Sequence, residues 1–164
     1  DRIRRASHVV LPGVGAAAPG MQRLREAGLD RLIPTLTQPV LGVCLGMQLL
    51  FDASAEGDTT CLGILRGKLS RFDGARCGRV PHMGWNRVDT IKPSPLLAGL
   101  ERDAFAYFVH SYAAPVTAAT VASCDYGGAF AAVVSERNFH GAQFHPERSA
   151  AVGARLLANF LELQ

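Results

Sequence analysis

The five residues Gly42-Val43-Cys44-Leu45-Gly46 constrain this chain more than any other stretch. They place a cysteine between two glycines where the apolar run 39–43 meets a helical pattern over 44–51. A strand that passes through a glycine-flanked turn straight into a helix belongs to a parallel α/β sheet, and the residue at the turn stands at the strand's exposed end. The free N–H groups of such a helix point at the sulfur, which predicts a lowered thiol pKa. Taken alone, the motif is equally the end of a strand carrying a buried cysteine. The same unit occurs earlier, where His8-Val9-Val10-Leu11 stops at Pro12-Gly13 and residues 21–29 carry apolar side chains at helical spacing.

The middle of the chain changes character. Segments 62–72, 79–88, 104–109 and 120–124 read as strands separated by Gly, Pro and Asp, able to pair antiparallel. A last strand is expected near 141–144. It precedes a helix over 149–163 whose apolar face is Val152, Leu156, Leu157, Phe160 and Leu161, with Ser149 as its cap. Neither a repeat nor a linker interrupts the 164 residues, so a single domain over 1–164 is expected.

Composition narrows the function classes. With 48% hydrophobic and 19% charged residues the chain can bury a core and does not read as disordered. Its formal charge of +3 is spread thinly, which argues against a nucleic-acid footprint. The longest apolar runs fall short of the roughly 20 residues a membrane helix needs, and no export segment is read at the start. Cys44, Cys61, Cys77 and Cys124 form neither a C-x-x-C pair nor a zinc spacing, so a reduced cytoplasmic protein without a metal is expected.

Two further motifs bear on chemistry. In Gln143-Phe144-His145-Pro146-Glu147 the proline keeps the preceding residue extended, so His145 and Glu147 can face one way as a base and its orienting carboxylate. Pro12-Gly13-Val14-Gly15 follows a strand of the same sheet. Its N–H groups, with that of Leu45, can form an oxyanion hole; a plain tight turn is the other reading. A nucleophile, a base and an orienter together are what thiol acyl transfer requires.

These segments, together with Pro81-His82-Met83-Gly84-Trp85-Asn86 and Tyr107-Phe108-Val109-His110-Ser111-Tyr112, resemble the class I (triad) glutamine amidotransferases. Within that family the Pro-His-Met-Gly-Trp-Asn and Val-His-Ser-Tyr runs are most similar to the glutaminase subunits of imidazole glycerol phosphate synthase. The same runs weigh against the amidotransferase subunits of anthranilate or aminodeoxychorismate synthase. An intact triad weighs against a non-catalytic regulatory module.

The resemblance implies an α/β fold, a flavodoxin-like three-layer sandwich on a mixed, mainly parallel central sheet. It implies Cys44 as nucleophile, His145 as base and acid, Glu147 as orienter, and Gly13, Val14 and Leu45 around the oxyanion. L-glutamine would be held by Gly15, Gln48, Glu56, Ser111 and Tyr112. A cyclase (β/α)8-barrel that receives ammonia in histidine biosynthesis would dock on Met83, Trp85 and Tyr107. No cofactor is implied. Relatives begin with a strand-helix-strand unit ahead of the segment that starts here, so that unit is expected to be missing. His82 and His110 receive no chemical role.

Overall fold

A computed structural model describes residues 2–101 and 103–164. In chain order the elements are α1 (Arg2–Arg5), β1 (Val9–Gly13), α2 (Ala17–Glu26), α3 (Leu29–Leu32), β2 (Val40–Cys44) and α4 (Leu45–Leu49). There follow β3 (Phe51–Ser54), β4 (Thr59–Thr60), β5 (Leu65–Arg71), α5 (Gly74–Cys77), β6 (His82–Arg87) and β7 (Asp89–Thr90). The last third holds β8 (Phe105–His110), β9 (Tyr112–Ala113), β10 (Thr120–Asp125), β11 (Ala129–Glu136), β12 (Phe139–Ala142) and α6 (Ala150–Leu161).

The central sheet has the order β1-β2-β12-β11-β10-β7. Its β1–β2 and β2–β12 pairings are parallel, whereas β12–β11, β11–β10 and β10–β7 are antiparallel. The sheet is therefore mixed as expected, but not mainly parallel. Short returns at 126–128 and 137–138 leave no room for crossover helices, so β10, β11 and β12 meander. A four-stranded sheet, β4-β3-β5-β9, and a β6–β8 ribbon flank it.

Both faces of the central sheet are covered. Val40 and Val134 pack with α2 and α4 through Met21, Leu24, Met47 and Leu49, while their neighbours Leu41 and Val133 pack on the other face with Leu156 and Phe160 of α6. Alternate residues of one strand thus feed different cores, which is why β2 and residues 129–134 of β11 are apolar instead of alternating.

Several boundaries differ from the sequence expectations. The helix expected over 21–29 starts at Ala17, because Glu56 accepts the Ala17 N–H at 2.8 Å, and it stops before Gly28, which sits at φ 67°. The helix expected over 44–51 ends at Leu49. There the carbonyls of Leu49, Leu50 and Phe51 accept N–H groups from residues 62–65 instead of continuing a helix. Ser149 stands at the N-cap position of α6 as expected but makes no side-chain cap bond; its hydroxyl donates to the His145 carbonyl at 2.7 Å and accepts the Tyr107 N–H at 2.9 Å. No described helix is long and apolar enough to cross a membrane.

His82 and His110 are buried together beneath the β6–β8 ribbon, and their protons can be assigned from an acceptor that has no alternative. The Tyr112 carbonyl, 2.8 Å from His110 Nδ1, can only accept, so that nitrogen carries the hydrogen. His110 Nε2 then accepts from His82 Nδ1 at 3.2 Å, and His82 Nε2 accepts from Asn86 Nδ2 at 3.3 Å. Neither ring has room for a second proton. Burial accordingly lowers His82 to about 4 and His110 to about 3, and also lowers His140, bonded to Ser135, to about 4.

These shifts give stability a pH dependence. Below about pH 6.5 the unfolded chain takes up protons that the folded chain refuses, so stability is full above that pH and is lost as pH falls toward 4. Each histidine removes about 1.4 kcal/mol per pH unit in that window. Melting curves from pH 7 to pH 5 should show a steadily falling Tm; a flat profile would mean that the three rings protonate freely in the native state.

Candidate active site

Cys44 ends β2 and, at φ 52° and ψ −112°, occupies backbone space that a residue with a Cβ rarely enters. The glycines around it serve volume. A Cβ on Gly46 would lie 1.8 Å from the Leu11 carbonyl oxygen, and one on Gly42 would lie 2.6 Å from the Met47 nitrogen. A Cβ on Gly13, opposite Cys44 in the β1–β2 ladder, would come within 2.8 Å of the Gly46 nitrogen. The first turn of α4 therefore lies directly on β1 and β2, and the chain can reach it only through the strained cysteine.

A cavity of about 530 Å3 opens in front of the thiol, in the size range of small-molecule sites. Cys44, His145 and Glu147 all line it. His145 Nδ1 lies 2.9 Å from Glu147 Oε1, so the carboxylate holds that edge of the ring. Pro146 begins a single 3-10 turn over 146–148 that sets this spacing, and the His145 N–H is anchored on the Tyr107 carbonyl at 3.0 Å. Arg148, also in the cavity wall, stacks its guanidinium over the Tyr107 ring at 4.6 Å.

The thiol contradicts the expectation of a lowered pKa. Burial pushes Cys44 up to about 11; the Leu45 N–H pulls the other way, and the Glu147 charge adds to the rise. A helix of five residues offers too little dipole to offset desolvation. The resting Sγ hydrogen-bonds the Val109 carbonyl at 4.0 Å, not the His145 ring.

A strained cysteine, a carboxylate-held histidine and a cavity lined by both are the parts that thiol acyl transfer requires. The family model described as glutamine amidotransferase class-I matches residues 4–163. The chain belongs to the class I glutamine amidotransferases. It is 58% identical over 158 residues to the imidazole glycerol phosphate synthase subunit HisH of Xanthomonas euvesicatoria pv. vesicatoria, covering 96% of this chain and 79% of that protein. The same subunit of Xylella fastidiosa strain Temecula1 is 56% identical with the same coverage. Among solved structures, a glutamine amidotransferase superposes with TM-score 0.69 at 19% identity, covering 95% of this chain and 78% of that one. A Thermotoga maritima glutamine amidotransferase gives 0.64 at 20% identity, covering 98% and 63%. These distant structures establish the α/β amidotransferase fold.

The other expected site residues fall into three groups. Val14, Gly15, Leu45, Gln48, Glu56, Ser111 and Tyr112 line the same cavity. Gly13 does not; it lies under α4, where its missing side chain is what admits the helix. Some of these residues are already engaged: Glu56 accepts the Ala17 N–H, and the Tyr112 carbonyl accepts both His110 and Gln48. Met83 and Trp85 are 61% and 54% exposed, and Trp85 meets Tyr107 edge to face across the ribbon. Sequence reasoning gave no role to Gln143, which is fully buried and reaches the sulfur, or to Arg148. Gln143 opens the quoted motif and Arg148 directly follows it, but neither residue type signals a site on its own.

Close packing at the elbow should separate two glycine substitutions. Gly46→Ala has no space for its methyl and should cost about 3 kcal/mol or more, with α4 displaced. Gly74→Ala, whose Cβ would meet nothing closer than Val80 at 4.0 Å, should be close to neutral. Urea denaturation of both variants checks the contrast; equal stabilities would remove the close-packing account of the elbow.

Proposed function

We propose that this chain is the glutaminase subunit of an imidazole glycerol phosphate synthase, hydrolysing L-glutamine to L-glutamate and ammonia for histidine biosynthesis. The observation that carries the reading is the 2.9 Å bond between Glu147 and His145 Nδ1, which leaves Nε2 as the edge able to serve the thiol side of the cavity. That arrangement supplies a base with a fixed tautomer next to a nucleophile held at a strand end.

In this reading His145 takes the thiol proton as Cys44 Sγ attacks the carboxamide carbon. The oxyanion is met by the Leu45 N–H and by an N–H of the 13–14 turn, and His145 returns the proton to the departing ammonia. The γ-glutamyl thioester is then opened by a water that His145 deprotonates, and glutamate leaves. Glu147 stabilises the imidazolium at both stages without taking its proton. Gly15, Gln48, Glu56, Ser111 and Tyr112 form the wall against which the substrate's amino-acid end would lie.

The partner in this reading is a cyclase barrel that consumes ammonia while making imidazole glycerol phosphate and aminoimidazole carboxamide ribotide. Support comes from the exposed Met83, Trp85 and Phe105 on the β6–β8 ribbon, an apolar patch whose neighbour Tyr107 holds the His145 backbone. We also read residues 1–164 as a single catalytic domain of the flavodoxin-like type, cytoplasmic as its relatives' pathway implies.

Glutamine hydrolysis by purified variants in the presence of the cyclase tests the site. Cys44→Ala and His145→Ala should each lower kcat by several orders of magnitude. Glu147→Gln should cost less, because the ring remains but is poorly held, and replacing Cys61, Cys77 or Cys124 by Ser should leave the rate unchanged. Full activity of His145→Ala would end the triad reading. For the partner, Trp85→Ala should weaken binding of the cyclase barrel at least about thirtyfold by calorimetric titration, the scale of a central aromatic anchor. Unchanged affinity would move the interface elsewhere.

A further inference from the structure

Gln143 follows β12 and is completely buried, and the orientation of its amide is set by a backbone atom two hydrogen bonds away. The Tyr112 carbonyl can only accept, so the side-chain atom of Gln48 lying 2.9 Å from it is the amide nitrogen. That same nitrogen lies 2.9 Å from the Gln143 side chain, which must answer with its oxygen. The Gln143 NH2 is thereby turned toward Cys44 Sγ, 3.9 Å away, and among the described residues the sulfur is the partner found for it. His110 Nδ1 donates to the same Tyr112 carbonyl and holds the start of the series in place.

A thiol is a weak acceptor and a thiolate a strong one, so a donor at this position gains when the sulfur loses its proton. We propose that Gln143 is a hydrogen-bond donor to the Cys44 thiolate, oriented by Gln48 and Tyr112, and that it acts with the Leu45 N–H to make the thiolate available for attack. The inference rests on Cys44 being the nucleophile, as argued above. Charged and titratable groups face the sulfur from several elements: His145, Glu147 and Arg148 from the 3-10 turn, His110 from β8, Glu56 and Tyr112 from the cavity wall. Glu147 opposes ionisation of the thiol. The two amide donors carry no charge and do not titrate, so their help is the same at every pH.

The test is the pH dependence of Cys44 alkylation by iodoacetamide in the full chain without glutamine, read by peptide mass spectrometry so that Cys61, Cys77 and Cys124 are resolved. Gln143→Met keeps the volume and removes the donor. Its Cys44 rate at pH 8 should fall about tenfold, and the midpoint should move up by roughly one unit, the effect of one hydrogen bond to a charged group. The Cys77 rate should not change. Gln143→Glu keeps the shape and the acceptor for Gln48 but places an oxygen against the sulfur, so its midpoint should rise at least as far; this variant carries the test if Gln143→Met does not fold. An unchanged Cys44 midpoint in the folded variant would overturn the proposal, whatever happens to Tm. A shifted midpoint in a chain that fails to hydrolyse glutamine would retire the glutaminase reading and leave the donor role standing.

Discussion

The close approach of helix α4 to strands β1, β2 and β12 decides the rest of the site. Gly13, Gly42, Gly46 and Gly141 each lack a side chain at a point where a Cβ would come within 2.8 Å of another atom. Gly141 makes room for Met47, so the fit extends to the third strand. With the helix pressed against the sheet, one residue between strand and helix must turn in the left-handed direction, and that residue is Cys44. Strain of this kind costs about 1–3 kcal/mol and persists only where packing on both sides over-determines it. The ladder partner Gly13, Ala142 opposite the preceding Val43, and the buried Leu45 and Met47 provide that packing.

A second constraint is polar. Asn86 donates to the Asp125 carbonyl and to His82; His82 donates to His110, and His110 to the Tyr112 carbonyl, onto which Gln48 also donates before reaching Gln143 and the thiol. Every link has an assignable direction because the series contains two backbone carbonyls that can only accept. One end lies on the ribbon that carries the exposed Trp85, and the other on the sulfur. Such a chain has two effects in a low-dielectric interior: it fixes the tautomers of two histidines, and it makes any rearrangement cost several bonds at once. The ribbon and the Cys44 thiol are therefore joined by one continuous series of hydrogen bonds, which is a physical basis for coupling only to the extent that a partner prefers one arrangement over another.

Much of this was legible in the sequence where local rules act alone. The strand-elbow-helix at Cys44, the Pro146-spaced His145 and Glu147, and the antiparallel middle all follow from residue types a few positions apart. The longest strand was not legible. Residues 129–134 read Ala-Phe-Ala-Ala-Val-Val, with no alternation because both faces are buried, and alanine favours helices when nothing else decides. The lengths of α2 and α4 were missed because their ends are set by distant groups, Glu56 and residues 62–65. The direction of the Cys44 pKa shift was missed for a related reason: the sequence displays the helix start but not the burial that outweighs it.

That raised pKa bears on why such a site would rest quietly. Burial that lifts the thiol to about 11 keeps it protonated at neutral pH. The dominant cause is burial, and a substrate that fills the cavity removes still more water, which makes the bare thiolate harder to form. Filling the cavity alone therefore cannot activate the sulfur. Activation has to come from charge and hydrogen bonds: an imidazolium formed on His145 as the proton moves, held by Glu147, and the neutral donors Leu45 and Gln143 already aimed at the sulfur. In the resting structure the thiol bonds the Val109 carbonyl, an acceptor that favours the protonated form. In the proposed mechanism Sγ exchanges that acceptor for His145. Val109 lies on β8, paired with Met83 of the exposed ribbon, so the group that holds the thiol in reserve sits on the same two strands as the proposed docking face.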